Sequence, residues 1–231
     1  MENFVLSHLE PGNVFRFFEE LSRIPRESGH TDAVSAWVED FARARGLRCR
    51  RDELGNVVIW KEASPGYEGH PAVILQGHTD MVCVQAPGTD HDFEKDPLTL
   101  VLDGDWLRAE NTTLGGDDGA AVAMMLALLD DDAIPHPPIE AVFTADEEIG
   151  LLGAAGLDCS DLQGRTLINL DSEDEGVLTV GCAGGARCDL ALSLPLRPAS
   201  GKLCTLELTG LPGGHSGAEI HKNIPNANRV L

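Results

Sequence analysis

The stretch Ala72-Val73-Ile74-Leu75-Gln76-Gly77-His78-Thr79-Asp80 decides the fold class. Its first half is a continuous apolar run, the pattern of a strand covered on both faces rather than the alternation of a half-exposed one. It then breaks at a glycine and delivers an imidazole and a carboxylate. Two later stretches follow the same plan: Ile139 to Thr144 runs into Asp146-Glu147-Glu148, and Thr166 to Leu170 runs into Asp171. Buried strands that end in charged side chains belong at the carboxyl edge of an open α/β sheet, where the functional crevice lies.

The surrounding sequence supplies the layers such a sheet needs. Val14, Phe17, Phe18 and Leu21 recur at i, i+3, i+4 and i+7, as do Val34, Trp37, Val38 and Phe41, which predicts two amphipathic helices. Gly46 ends the second. A strand pair is expected around Leu47–Arg51 and Asn56–Lys61, and a hairpin at Leu98–Leu102 and Trp106–Ala109 around Asp103-Gly104. Gly115-Gly116-Asp117-Asp118-Gly119 then opens an alanine-rich helix from Ala120 to Leu129. Alternation of helix and strand predicts an α/β class with a mixed, largely parallel sheet covered by helices.

The texture changes after Gly181-Cys182-Ala183-Gly184-Gly185. Cys188–Leu194 and Leu203–Thr209 alternate as strands of a second, smaller α+β domain. The domains are therefore placed at residues 1–186 and 187–231. The residues from Pro225 read as the first turns of a helix with no cap at its end, so the expectation is a C-terminally truncated chain.

Composition narrows the partners. The 38 acidic residues outnumber 17 basic ones for a formal net charge of -21. That surface repels phosphate backbones and anionic lipid, which argues against nucleic-acid or membrane partners, and it attracts cations. No apolar run approaches the roughly 18 residues of a membrane span. Residues 1–10 lack the basic start of a signal peptide. Six cysteines without a C-x-x-C pair are expected as reduced, mostly buried thiols, consistent with a cytoplasmic location.

Taken singly, each charged motif has an ordinary explanation. His78 could end a strand, Asp117 or Asp118 could cap a helix, Glu147-Glu148 could be a solvated pair, and Asp171 could sit in a turn. Together, four segments bring carboxylates to one sheet edge, where they would repel one another unless a cation lay between them. Histidine with carboxylates and no cysteine cluster suits zinc or manganese better than calcium.

In order, His78-Thr79-Asp80, Gly115-Gly116-Asp117-Asp118-Gly119, Glu147-Glu148 and Asp171 resemble the M20 metallopeptidase and aminoacylase family. Residues 112–119, Asp171-Ser172-Glu173, residues 181–185 and Gly213-Gly214-His215-Ser216-Gly217 are similar to its aminoacyl-histidine dipeptidase branch. The resemblance implies a catalytic α/β domain interrupted by a lid or dimerisation domain. It also implies two zinc ions, with manganese or cobalt as alternatives. On that basis His78 and Asp171 are terminal ligands of one ion, Asp117 bridges both, and Glu148 holds the second. Glu147 is the general base, Asp80 orients His78, and His215 reaches the substrate from the lid.

The family's second ion takes a further histidine near the C-terminus. That position lies beyond Leu231, and His8, His30, His70, His91, His136 and His221 match no metal position. The implied reaction is hydrolysis of dipeptides with free termini, with an Xaa-His preference, by an enzyme that forms homodimers at full length. The 231-residue chain alone is expected to be inactive. The competing expectations are another M20-type amidohydrolase (tripeptidase, carboxypeptidase, deacetylase or carbamoylase) and a non-catalytic metal-binding protein or inactive fragment.

Overall fold

A computed structural model describes residues 5–172, 176–181, 188–198, 200–214 and 219–231. The chain divides into two compact units, residues 1–175 and 176–231. The first begins with two helices, α1 (Gly12–Leu21) and α2 (Asp32–Ala44), at the expected positions. Strands β1 (Arg48–Arg51), β2 (Val57–Lys61) and β3 (Val73–His78) follow, then the hairpin β4 (Leu100–Asp103) and β5 (Trp106–Ala109). Helix α3 (Gly116–Asp130), β6 (Ile139–Thr144), a short α4 (Leu152–Gly156) and β7 (Thr166–Asn169) complete the unit.

The main sheet has the order β1-β2-β6-β3-β7. Strands β6, β3 and β7 run parallel, while β2 is antiparallel to both β1 and β6. The result is the expected mixed sheet with a parallel portion, its apolar runs at β3 and β6; β7, expected as a third buried strand, is instead exposed along its length, because it lies at the sheet edge and pairs only with β3.

One face carries most of the core. Phe17, Phe18 and Leu21 of α1 and Val34, Val38 and Phe41 of α2 join Val57, Ile59, Ile139 and Phe143 of the sheet. Phe17 meets Phe41 edge to face at 5.4 Å, a preferred aromatic geometry. Helix α3 is apolar almost all round, so it is buried rather than surface-lying, and Val122, Met125, Leu126 and Leu129 enter the same core. On the other face Val58, Ile74 and Val142 form a smaller cluster under Trp60, Leu157 and Leu162. Successive residues Val57, Val58 and Ile59 thus serve two cores, as the two-residue period of a strand requires.

The second unit differs from expectation. Its regular elements among the described residues are a 3-10 turn at Ile220–Lys222 and helix α5 (Ala227–Val230). Residues 188–194 and 203–209, expected as strands, form no ladder with any described residue. Leu190, Leu192 and Leu194 are 92%, 81% and 68% exposed. Alternation marks a strand only where a neighbour supplies backbone partners, and none does so here. The expected burial of the cysteines also gives way: Cys49 and Cys83 are half-buried, and Cys159, Cys188 and Cys204 are exposed, all as unbonded thiols. Cys49 sits on the edge strand β1, Cys83 and Cys159 in loops, and Cys188 and Cys204 in the sparse second unit, positions that override the usual preference of a thiol for the interior; Cys182 lies outside the described residues. No helix among the described residues is long and apolar enough to cross a membrane.

Candidate metal and active site

The register of the parallel strands builds the site. Strand β3 pairs with β6 so that His78 lies beside Thr144, and with β7 so that Gln76 lies beside Asn169. Continuing both ladders by two residues sets Asp146 level with Asp80 and Asp171 level with His78. The ladder toward β7 does continue, since Leu170 donates its N–H to the Gln76 carbonyl at 2.9 Å.

The fourth segment arrives from the side, at the start of α3. Asp117 and Asp118 have non-helical backbone inside that first turn, and the peptide between them is cis. Neither side chain caps the helix. Asp118 turns inward, and its Oδ2 accepts the backbone N–H of His78 at 3.1 Å. Gly77 makes this approach feasible: a Cβ there would lie 2.6 Å from Asp118 Oδ2 and 2.9 Å from the Ala121 Cβ.

His78 is the hub. Its ring is buried, with Nε2 2.9 Å from Asp117 Oδ1, 3.9 Å from Asp171 Oδ2 and 4.0 Å from Glu147 Oε2. On the other side, Nδ1 lies 3.1 Å from the Asp80 carbonyl oxygen and 3.4 Å from Asp80 Oδ1. A carbonyl oxygen can only accept, so Nδ1 carries a proton, and in the neutral ring Nε2 is then the nitrogen with a lone pair to give.

Asp80 is fully buried and does more than face the imidazole. Its Oδ1 accepts the Glu147 N–H at 3.0 Å, and its Oδ2 accepts the Glu148 N–H at 3.2 Å and the Ser28 hydroxyl at 2.7 Å. One carboxylate therefore fixes both the histidine and the turn that carries the two glutamates.

The charges are strained in a consistent way. Burial would lower the His78 pKa, yet its bonds to Asp117 and Asp80 overcome this and hold it at about 10. Burial opposes ionisation of Asp80 as well, but His78, Ser28 and the Glu147 N–H bring it to about 2. The bond to His78 chiefly lowers Asp117. Asp118 is pushed up to about 7 by burial, with Asp171 and Asp117 adding repulsion. Glu147 and Glu148 are both raised, first by burial and then by their acidic neighbours. Several carboxyl groups thus lack enough positive charge at this edge, and a divalent cation would relieve that imbalance.

The donor atoms fit such an ion. Two sets have atoms mutually within 4.8 Å: His78 with Asp118 and Asp171, and His78 with Glu147 and Glu148. One imidazole with carboxylate oxygens and no thiolate matches zinc or manganese chemistry. The first set contains Asp118 where Asp117 was expected, although Asp117 Oδ1 lies 2.9 Å from His78 Nε2. His78, Asp80, Asp117, Glu147, Glu148 and Asp171 all gather at this one edge. His215 lies outside the described residues, as do Glu173 and residues 182–185.

Reasoning from sequence missed Arg26 and Ser28. Arg26 is buried behind the site and bonds three backbone carbonyls. A charged residue between two helices carries no local mark of burial. The Gly115–Gly119 spacing was the available signal, since both glycines face this guanidinium.

No family model matches the chain. It is 42% identical over 228 residues to the cytosol non-specific dipeptidase of Escherichia coli K12, covering 98% of this chain and 47% of that protein. The chain therefore spans about half the length of this curated relative. Among solved structures it resembles an aminoacylhistidine dipeptidase from Vibrio alginolyticus, with TM-score 0.75 and 44% identity over 77% of this chain and 36% of the other. It also resembles a tripeptidase from Staphylococcus aureus, with TM-score 0.59 and 26% identity over 70% of this chain and 43% of the other.

Proposed function

Because this chain belongs to the M20 metallopeptidase family, we propose that it is the metal-binding part of a dipeptidase that cleaves dipeptides with free termini, with a preference for Xaa-His. The observation that carries this reading is the convergence of Asp117, from the start of α3, with Glu147 and Asp171, from beyond two parallel strands, within 4.0 Å of one buried imidazole nitrogen. The preference for a C-terminal histidine is supported by the aminoacylhistidine dipeptidase likeness alone.

His78, Asp117 and Asp171 would hold one zinc ion, with Asp117 shared and Glu148 turned to the second; manganese or cobalt would suit the same donors. When bound, the metal pair supplies Lewis acidity to the scissile carbonyl and lowers the pKa of the attacking water. Glu147 Oε2, half-buried at the mouth of this edge, takes the proton from that water and passes it to the departing amine nitrogen. Burial raises its pKa above its ordinary value, the direction that favours holding the transferred proton. Asp80 keeps the proton on His78 Nδ1 and holds the Glu147-Glu148 turn in place.

We place residues 187–231 at the beginning of a lid or dimerisation domain, with His215 as the substrate contact and a homodimer as the assembly. The acidic surface and the cytosolic dipeptidase relative support a cytoplasmic location and small peptide substrates. The tripeptidase likeness favours one alternative, cleavage of a longer peptide.

The test is Glu147→Ala and Glu148→Ala in the whole protein, read by bound zinc and by hydrolysis of Xaa-His dipeptides, tripeptides and N-acetyl amino acids. Glu147→Ala is expected to keep its zinc and lose at least about a hundredfold in kcat, the scale of a general base. Glu148→Ala is expected to lose zinc. Equal zinc loss in both variants would show that the roles are misassigned, and faster turnover of tripeptides than dipeptides would select the alternative.

A further inference from the structure

The connection between α1 and α2 touches three of the segments that carry site residues, although it contributes no metal donor itself. Arg26 Nη1 donates to the carbonyls of Thr79 and Asp80 at 3.0 and 3.2 Å, and Nη2 donates to the Gly115 carbonyl at 2.6 Å. One planar guanidinium therefore ties the exit of β3 to the turn that opens α3. Two residues on, the Ser28 hydroxyl donates to Asp80 Oδ2 at 2.7 Å. Next to it, the Gly29 N–H donates to Asp146 Oδ1 at 2.7 Å, in the turn that carries Glu147 and Glu148. The Arg26 carbonyl in turn accepts the Met81 N–H at 3.1 Å.

Packing around the guanidinium leaves little freedom. Arg26 is 2% exposed. A Cβ on Gly115 would overlap Arg26 Nη2, and one on Gly119 would come within 2.9 Å of the same atom. Gly115 also adopts a φ of +65°, so both space and backbone conformation select glycine there. Arg26 has no carboxylate within ion-pair distance among the described residues, and the charges that act on it most strongly include Asp80, Asp118 and Asp117. Burial brings its pKa down to about 10, so it remains a cation at neutral pH. A buried cation without a contact partner is expensive to keep as mere filler. Here Nη1 and Nη2 reach three carbonyls in a fixed planar fork, a geometry that lysine cannot reproduce, while Nε has no hydrogen-bond partner among the described residues.

We propose that the Arg26–Gly29 connection sets the spacing between the ligand-bearing segments, with Arg26 and Ser28 as positioning residues of the metal site. This rests on the functional reading above, since the spacing matters only if a cation binds there. Partners outside the ligand shell typically alter metal affinity by about 10- to 100-fold, and Arg26 acts on three carbonyls at once.

The test uses the whole protein, stripped of metal and titrated calorimetrically with zinc alone, with thermal unfolding of the metal-free sample in parallel. Arg26→Lys retains the positive charge, so a change in affinity reports geometry. It is expected to bind zinc about 10- to 100-fold more weakly and to lose kcat more than it gains in KM. Ser28→Ala removes one small hydroxyl and keeps the fold. It is expected to weaken zinc about tenfold with an unfolding temperature close to the parent's. If Arg26→Lys does not fold, Ser28→Ala decides alone. Parental zinc affinity per folded molecule in the folded variants, whatever their stability, would overturn the proposal while leaving the functional reading intact. A parent protein that binds no zinc would remove the functional reading and this inference with it.

Discussion

Strands β3 and β6 and the segment 188–209 carry similar amounts of aliphatic sequence, yet they end in opposite circumstances. In β6 every residue is buried, between β2 and β3 and against two apolar clusters. In 188–209 leucines stand largely in solvent and no described residue pairs with the backbone. The comparison teaches that apolar content sets a capacity for burial, while ladder partners decide whether it is used. The functional edge lies at the ends of β3 and β6, each held by partners on both sides, with β7 and the start of α3 laid against them.

The largest effect that could break this contrast is a paired truncation. Phe143→Ala removes a fully buried ring from β6 and is expected to cost about 3–5 kcal/mol. Leu192→Ala, at an 81% exposed position, is expected to change stability by less than about 0.5 kcal/mol. Urea unfolding of both variants measures it, and comparable losses would mean that the second unit is packed far more tightly than described. Next comes the response to metal. Zinc at a hundred times its dissociation constant is expected to stabilise the folded state by about 2.7 kcal/mol. Hydrogen exchange should show the added protection at residues 78–81, 117–119 and 146–148 and none at 188–209. Protection spread evenly over both would erase the distinction.

The smallest contrast concerns two glycines. A Cβ on Gly153 would overlap the Ala145 carbonyl and Asn56 Oδ1, so Gly153→Ala is expected to cost about 1–3 kcal/mol as an overpacked site. Gly181 has no atom of a described residue within 4 Å of the same position, and Gly181→Ala is expected to be neutral within about 0.5 kcal/mol. Thermal unfolding resolves the pair, and a neutral Gly153→Ala would show that the contact of α4 with Ala145 and Asn56 yields easily.

Much of the first unit was legible because its signals are local. The i, i+3, i+4, i+7 spacing of Phe17, Phe18 and Leu21 states which face of α1 is covered, and the run from Ala72 to Gln76 states that both faces of β3 are. The same reasoning overreached at 188–194, where alternation was present and a partner strand among the described residues was not. It also overreached for the described cysteines, whose residue type favours burial but whose positions at the sheet edge, in loops and in the second unit do not supply it.

The sequence by itself determined the chemistry: one histidine and five carboxyl groups, each following an apolar strand or opening a buried helix, with the order of motifs that marks the family. Periodicity and residue type record what each element needs from its surroundings, and that information is local. Only the tertiary structure decided the strand order β1-β2-β6-β3-β7, the inward turn of Asp118, the double duty of Asp80, and the grip of Arg26 on carbonyls 53, 54 and 89 residues away. Such contacts depend on register and on close approach between elements, and a backbone carbonyl looks the same whatever side chain its residue carries. No pattern along the chain could have announced which one the guanidinium would find.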